Sequence, residues 1–204
     1  MQSMCNGAGC EVALSLLHWV TDEGHYPTAT VTVGEHSHSW RTLIAPYCDL
    51  ATFAREYDFN RPWDAESNLR AASRVSSAFG CGSRHSRSKH RSTDPLDPPK
   101  AAYVALVGPD CVIRPEGLAP RKPEDVPGKT IVLVETRLSD IPWTNPFDLP
   151  LKRLKEDRAY AESVVGGPHP GGGHFVRADG TRGRINEIGL DSLLEQCVVP
   201  DDAE

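Results

Sequence analysis

The stretch Ser163–Asn186, SVVGGPHPGGGHFVRADGTRGRIN, decides how the end of this chain folds. It opens with a loop too rich in Gly and Pro for regular structure. It then alternates through His174, Phe175, Val176 and Arg177, turns at Asp179-Gly180, and returns through Arg182, Arg184 and Ile185. Asp-Gly between two short alternating runs is a strong hairpin signal, because a type I′ turn needs φ > 0 at both central residues. A two-residue loop would pair Ala178 with Thr181, Arg177 with Arg182, Val176 with Gly183 and Phe175 with Arg184. One face would then carry His174, Val176, Ala178 and Ile185, and the other Phe175 with Arg177, Arg182 and Arg184. Arg177 and Arg182 opposite one another repel unless they are solvated or share an anion. Most charged strand faces are simply wet, here with Arg184 over the Phe175 ring. The sharper reading is a face for an anion or an acidic partner.

Upstream lies material for the sheet this hairpin joins. Ala102–Val107 (AYVALV) and Thr130–Glu135 (TIVLVE) are the clearest strands, apolar and partly β-branched, flanked by Gly or Pro. The Gly108–Lys129 connection between them, dense in proline, is an irregular excursion. Val12, Ala13, Leu16, Leu17 and Val20 form a stripe that predicts a helix over Glu11–Thr21, ended by Gly24 and Pro27. Ala29–Gly34 fits a short strand and Glu35–His38 a polar loop. Ser39–Tyr47 is an apolar run with a Trp anchor, stopped by Pro46. Short helices are expected at Leu50–Tyr57 and, after the Arg61–Asn68 turn, through Ala72. Pro142–Pro146 is a rigid turn carrying Trp143, Pro150–Val164 has helical composition, and Asp191–Cys197 forms a last short helix capped by Asp191 or Gly189. Regular βαβ alternation is missing. The fold class is therefore α+β with an antiparallel sheet, in a single domain over 1–204. Residues 84–99 read as a mobile loop and 200–204 as a frayed tail.

At 204 residues the chain can bury a sizeable core, and a net charge of −6 weighs against a nucleic-acid partner. No apolar run approaches the ~18–20 residues of a membrane helix, and no secretion signal can be assembled from the first residues. The six cysteines, Cys5, Cys10, Cys48, Cys81, Cys111 and Cys197, contain no C-x-x-C pair and fit no zinc module. They allow three disulfides in an oxidising compartment, or none.

His169 stands ten positions before Asp179, which is followed by Gly180. A catalytic His would need a nucleophile and an orienting carboxylate nearby, and Asp179 is committed to its turn. His169 bonded to the surrounding glycine backbone fits the loop better. His36-Ser37-His38 puts two imidazoles on one side of an extended segment, so chelation is geometrically open, but spacing identifies no further ligand. Gly171–Gly173 is a candidate anion nest without a following Lys-Ser/Thr. Arg84, Arg87, Lys89 and Arg91, with His85 and His90, read as a solvated loop. The four tryptophans read as core anchors. No enzyme constellation, cofactor motif or metal set emerges.

Taken in series, several stretches carry a resemblance. They are His25-Tyr26-Pro27, Ser39-Trp40-Arg41 with Pro46-Tyr47, and Pro62-Trp63-Asp64 with Asn68. After these come Phe79-x-Cys81-x-Ser83, Tyr103-Val104 with Val107-Gly108-Pro109, and Thr130–Glu135. The series ends with Pro142-Trp143-Thr144 with Pro146 and Asp148-Leu149, then His169-Pro170-Gly171-Gly172 with Ala178-Asp179-Gly180. In this order the chain resembles the bacterial pilin-like family of unknown function named for its C-terminal H-x9-DG motif, whose domain has also carried a solute-binding label. The resemblance implies a pilin-like fold, with an N-terminal helix packed on the antiparallel sheet, long irregular loops and the C-terminal hairpin. It implies a non-enzymatic, extracytoplasmic subunit of a pilin or pseudopilin assembly, with protein partners and no cofactor. His169, Asp179 and Gly180 would be structural, and Glu11–Thr21 the remnant of a longer, membrane-anchored helix. The alternative is a soluble module that binds a small ligand, anion or metal. Three departures stand out. The family's prepilin segment is missing, Gly82 replaces its usual Pro, and apolar residues usually occupy the positions matching Arg177, Arg182 and Arg184.

Overall fold

Val12, Ala13, Leu16 and Val20 are buried along one side of helix α1, Gln2–Glu23, which extends beyond the expected Glu11–Thr21 at both ends. The computed structural model describes residues 2–48, 51–74, 79, 94–167 and 172–200, without the side chains of 2–8, 10 and 51. Gly24 ends α1 with φ 74, and its N–H donates to the Val20 carbonyl at 3.0 Å. Only a residue at ease in the left-handed region closes a helix this way. At Gly9 the helix crosses Tyr103; a Cβ there would come within 2.6 Å of the Tyr103 hydroxyl oxygen. A glycine at this point lets the helix lie close against the sheet.

Strands β1 (Thr30–Val33) and β2 (His36–Ser39) form an antiparallel hairpin around Gly34, which has φ 63. Of the expected polar loop at Glu35–His38, only Glu35 stays in the turn, and His36, Ser37 and His38 are strand. The alternation HSHS hides the reason: His38 is fully buried while Ser37 is exposed. Ser39 then caps helix α2, Trp40–Ile44, its hydroxyl oxygen accepting from the Arg41 N–H at 3.2 Å. A 3₁₀ turn (Ala45–Cys48), α3 (Ala51–Glu56) and α4 (Glu66–Ser73) follow. Asn68 ties the turn before α4: its Nδ2 donates to the Asp58 and Pro62 carbonyls at 3.0 and 2.9 Å, and its Oδ1 accepts from the Asp58 N–H at 2.9 Å.

The main sheet contains β3 (Tyr103–Val107), β4 (Ile131–Glu135), β5 (Leu149–Pro150), β6 (His174–Arg177) and β7 (Arg182–Arg184), in the order β5-β3-β4-β6-β7. β3–β4, β4–β6 and β6–β7 are antiparallel, as expected for an α+β chain; the two-residue β5 adds a parallel edge to β3 that the sequence did not announce. β3 and β4 are buried along almost their whole length, which explains their unbroken apolar runs. The Gly108–Lys129 excursion holds one 3₁₀ turn, Pro123–Asp125, and is pinned to the segment after α1 through Tyr26 N–H to Arg121 O at 2.8 Å and Ala29 N–H to Arg114 O at 2.9 Å.

The helical run after β5 is broken in two, α5 (Leu151–Glu156) and α6 (Arg158–Val164). Asp157 is the cause. It leaves helical geometry at φ −125, ψ 92, and its carboxylate accepts from the Tyr160 N–H at 2.9 Å, so it caps the second helix rather than continuing the first. The final helix α7, Ile185–Gln196, starts earlier than expected and kinks at Gly189 (φ 78, ψ 164). One contiguous core runs from α1 through the sheet to Leu193, Cys197 and Val199. No described helix is long and apolar enough to cross a membrane. The basic run at 84–91, His169, and residues 201–204 lie outside the described residues.

Candidate functional site

The hairpin keeps its turn but changes its register. His174 pairs with Arg184, Phe175 with Gly183 and Val176 with Arg182, one residue away from the pairing a two-residue loop would give. Ala178, Asp179 and Gly180 together make a three-residue loop: the Arg177 N–H donates to Thr181 O at 2.8 Å and the Gly180 N–H to Arg177 O at 2.9 Å. Gly180, at φ 80, supplies the left-handed residue that such a loop needs. The Asp179 carboxylate accepts from the Thr181 N–H at 2.9 Å and hydroxyl at 2.6 Å, which holds its pKa below the usual carboxylate value. Asp179 N–H and Ala178 N–H dock the turn onto Gly128 O and Thr130 O at 3.0 and 2.8 Å.

A one-residue slip moves every side chain to the other face. Arg177 lies on the side of Phe175 and Gly183, whereas Arg182 and Arg184 lie with Val176 and His174, so the three arginines do not form one face. Packing explains the choice. The Phe175 ring lies over Gly183, where a Cβ would be 2.3 Å from the ring, and no such space exists in the expected pairing with Arg184. Arg177, rather than Arg184, sits over that ring, 5.0 Å from its centroid. Its guanidinium also donates to Lys129 O and, at 2.9 Å, to Gln196 Oε1 on α7. Arg182 is exposed and Arg184 half-buried.

Among the described residues near the motif is a buried polar arrangement that the sequence did not single out. Glu135 ends β4 with its side chain fully buried, and its Oε2 accepts from the His174 N–H at 3.1 Å and lies 3.2 Å from His174 Nδ1. Glycines roof it. A Cβ on Gly167 would come within 2.5 Å of the Glu135 carboxylate, and one on Gly173 within 2.6 Å of the Gly167 nitrogen. The backbone is fixed as tightly: Gly166 N–H donates to Glu135 O at 2.8 Å, Ile185 N–H to Gly173 O at 2.8 Å, and Thr136 Oγ1 to Val164 O at 2.8 Å. A carboxylate that orients an imidazole is half of a general-base arrangement. Here, however, the carboxylate is also bound to the backbone N–H of the same His, so it locks the start of β6 to the end of β4. The available sign was a Glu closing an apolar strand and a His closing a glycine run.

No family model, curated protein or solved structure matches this chain. Trp40 and Arg41 converge with Asp148 in the core. Arg41 Nη2 donates to Asp148 Oδ1 at 2.7 Å, Trp40 Nε1 to Oδ2 at 3.0 Å, and the Ala105 N–H to Oδ1 at 2.6 Å. The guanidinium also reaches the Tyr103 carbonyl at 3.2 Å and Ser39 Oγ at 2.8 Å. Trp143 stacks on Phe79 with centroids 4.7 Å apart, and its Nε1 donates to Ala72 O at 3.2 Å. These tryptophans are core anchors.

The His36/His38 pair does not make a chelate. His38 Nδ1 lies 2.8 Å from the Tyr57 hydroxyl and Nε2 3.0 Å from Phe59 O, so both nitrogens are occupied in the core. Among the described residues no group of three or more His, Cys, Asp or Glu could hold a metal ion. Burial holds the pKa of His38 below the ordinary imidazole value. The unfolded chain therefore takes up the proton first, and stability falls as pH drops through about 6.5 toward the folded value. Wild type is expected to lose stability on acidification from pH 7 to 5 more steeply than His38→Gln, measured by urea titration at each pH; parallel curves would remove His38 as the cause.

Proposed function

We propose that this chain is a non-enzymatic, extracytoplasmic pilin- or pseudopilin-like subunit that works through contacts with other proteins. The observation that carries this reading is how the motifs are spent. Trp40-Arg41 and Asp148 bind helix α2 to β3 and β5, Asn68 ties the turn before α4, Trp143 fills the core, and Asp179-Gly180 builds the hairpin loop. In each case the side chain holds backbone in place, which is the use an assembly subunit makes of such residues. Catalysis would instead have several of them meet at one open cleft. The close approach of helix α1 to β3 at Gly9 supports this reading. Leu14 on α1 is 56% exposed and faces away from the core.

A photo-crosslinker placed at Leu14 in the native host tests the reading, together with cell fractionation. The expected result is recovery with the envelope and cross-links to like subunits. Recovery in the cytoplasm without such cross-links would sink it. The same purified protein is expected to give no saturable thermal shift with divalent metals or small anions; a saturable shift would favour the small-ligand alternative.

A further inference from the structure

Three described cysteines are buried, and they are not equivalent. Cys48 donates to the Ser15 hydroxyl at 3.0 Å. Cys111 and Cys197 instead face each other. Cys111 sits in the turn after β3, its N–H donating to Gly108 O at 3.2 Å, and Cys197 follows α7. The two segments are clamped by the Val199 N–H to Asp110 O bond at 2.7 Å, and the Cys111 and Cys197 thiols are hydrogen-bonded to one another. Both residues are shielded, at 1% and 0% exposure. Gly108 makes the room, since a Cβ there would lie 3.2 Å from Cys111 Sγ.

We propose that Cys111 and Cys197 are a disulfide-forming pair that joins the turn after β3 to the end of the last helix. The oxidant is another disulfide, carried by a small thiol or a thiol oxidoreductase. The thiolate of one cysteine attacks one sulfur of that donor, whose bond breaks and releases one thiolate. The thiolate of the other cysteine then attacks the protein sulfur of the mixed disulfide and releases the second. Two protein thiols lose two electrons and two protons, and the donor becomes two thiols. Burial means that the exchange runs during folding or through opening of the chain end. Once closed, the bond is protected from reductants.

The test is made on purified wild-type protein, so its outcome is separate from the envelope reading. The protein is refolded in a glutathione redox buffer, alkylated in denaturant, digested without reduction and mapped by mass spectrometry. The expected result is one linked peptide pair, Cys111–Cys197, with Cys48 alkylated. The oxidised form should melt about 5–10 °C higher than the reduced form, as for a long closed loop. Cys197→Ala should show no such difference, whatever its own melting point. Full alkylation of both cysteines, or linkage of either to a different cysteine, would overturn the proposal.

Discussion

Truncation of Asp148 to alanine is expected to cost about 3–5 kcal/mol, because it leaves the Arg41 charge buried without its partner. The Arg41 side chain is completely buried and the Asp148 side chain nearly so. The carboxylate also accepts from Trp40 Nε1 and the Ala105 N–H, two donors that would be stranded in the core. For a chain of this length the melting point should fall by about 10–15 °C. Burial pushes the Asp148 pKa up to about 6 against the pull of Arg41, so the pair is ionised at neutral pH. Because the folded value lies above the unfolded one, Asp148 binds its proton more tightly in the folded state. Its contribution to stability is therefore greatest below its ordinary carboxylate value and declines as pH rises to about 6. This is opposite in sign to His38, and it is why His38 is tested by difference. Replacing both partners, Arg41→Met with Asp148→Leu, should cost less than Asp148→Ala alone, since no charge is then left unpaired. A loss below about 1 kcal/mol for Asp148→Ala would show that Asp148 does not hold the buried Arg41 charge in place.

The pair also marks where the sequence stops being legible. β3 and β4 could be read because both are buried and apolar from end to end, so local composition and environment agree. Arg41 and Glu135 could not, because each is one charge at the edge of an apolar run, and what satisfies it lies far along the chain. Arg41 meets Asp148 and Glu135 meets His174, contacts that only the folded sheet creates. His38 was hidden in the same way. Its alternating Ser neighbours read as a loop, and the Tyr57 and Phe59 groups that make it a core residue come from beyond α3. In the hairpin, Asp179-Gly180 announced a turn but not the loop length. A glycine in the left-handed region serves two- and three-residue loops alike, and the choice fell to the Phe175 ring over Gly183. The division of the arginines followed from that choice.

Gly173→Ala carries the second large expectation, a loss of about 2–3 kcal/mol through overpacking against backbone rather than against a side chain that can turn away. The added Cβ would stand 2.6 Å from the Gly167 nitrogen and 2.7 Å from the Gly166 carbonyl carbon, so two strands of the glycine loop would have to separate. Separation would pull on the Gly173 O bond from Ile185 and on the start of β6, where the Glu135 carboxylate holds the His174 N–H. The substitution should therefore do more than destabilise. Amide exchange at His174 should quicken by about tenfold or more, while the central residues of β3 keep their protection. Gly117→Ala is the contrasting comparison. Gly117 occupies a glycine-favouring conformation, at φ 90, which Gly173 does not, but nothing lies within 4 Å of its added Cβ, so it should cost only about 1–2 kcal/mol of backbone strain. If Gly173→Ala costs no more than Gly117→Ala and leaves His174 protected, the glycine run is not the roof over Glu135. If the cost and the local exchange rise together, the glycines before β6 are explained by the carboxylate they cover.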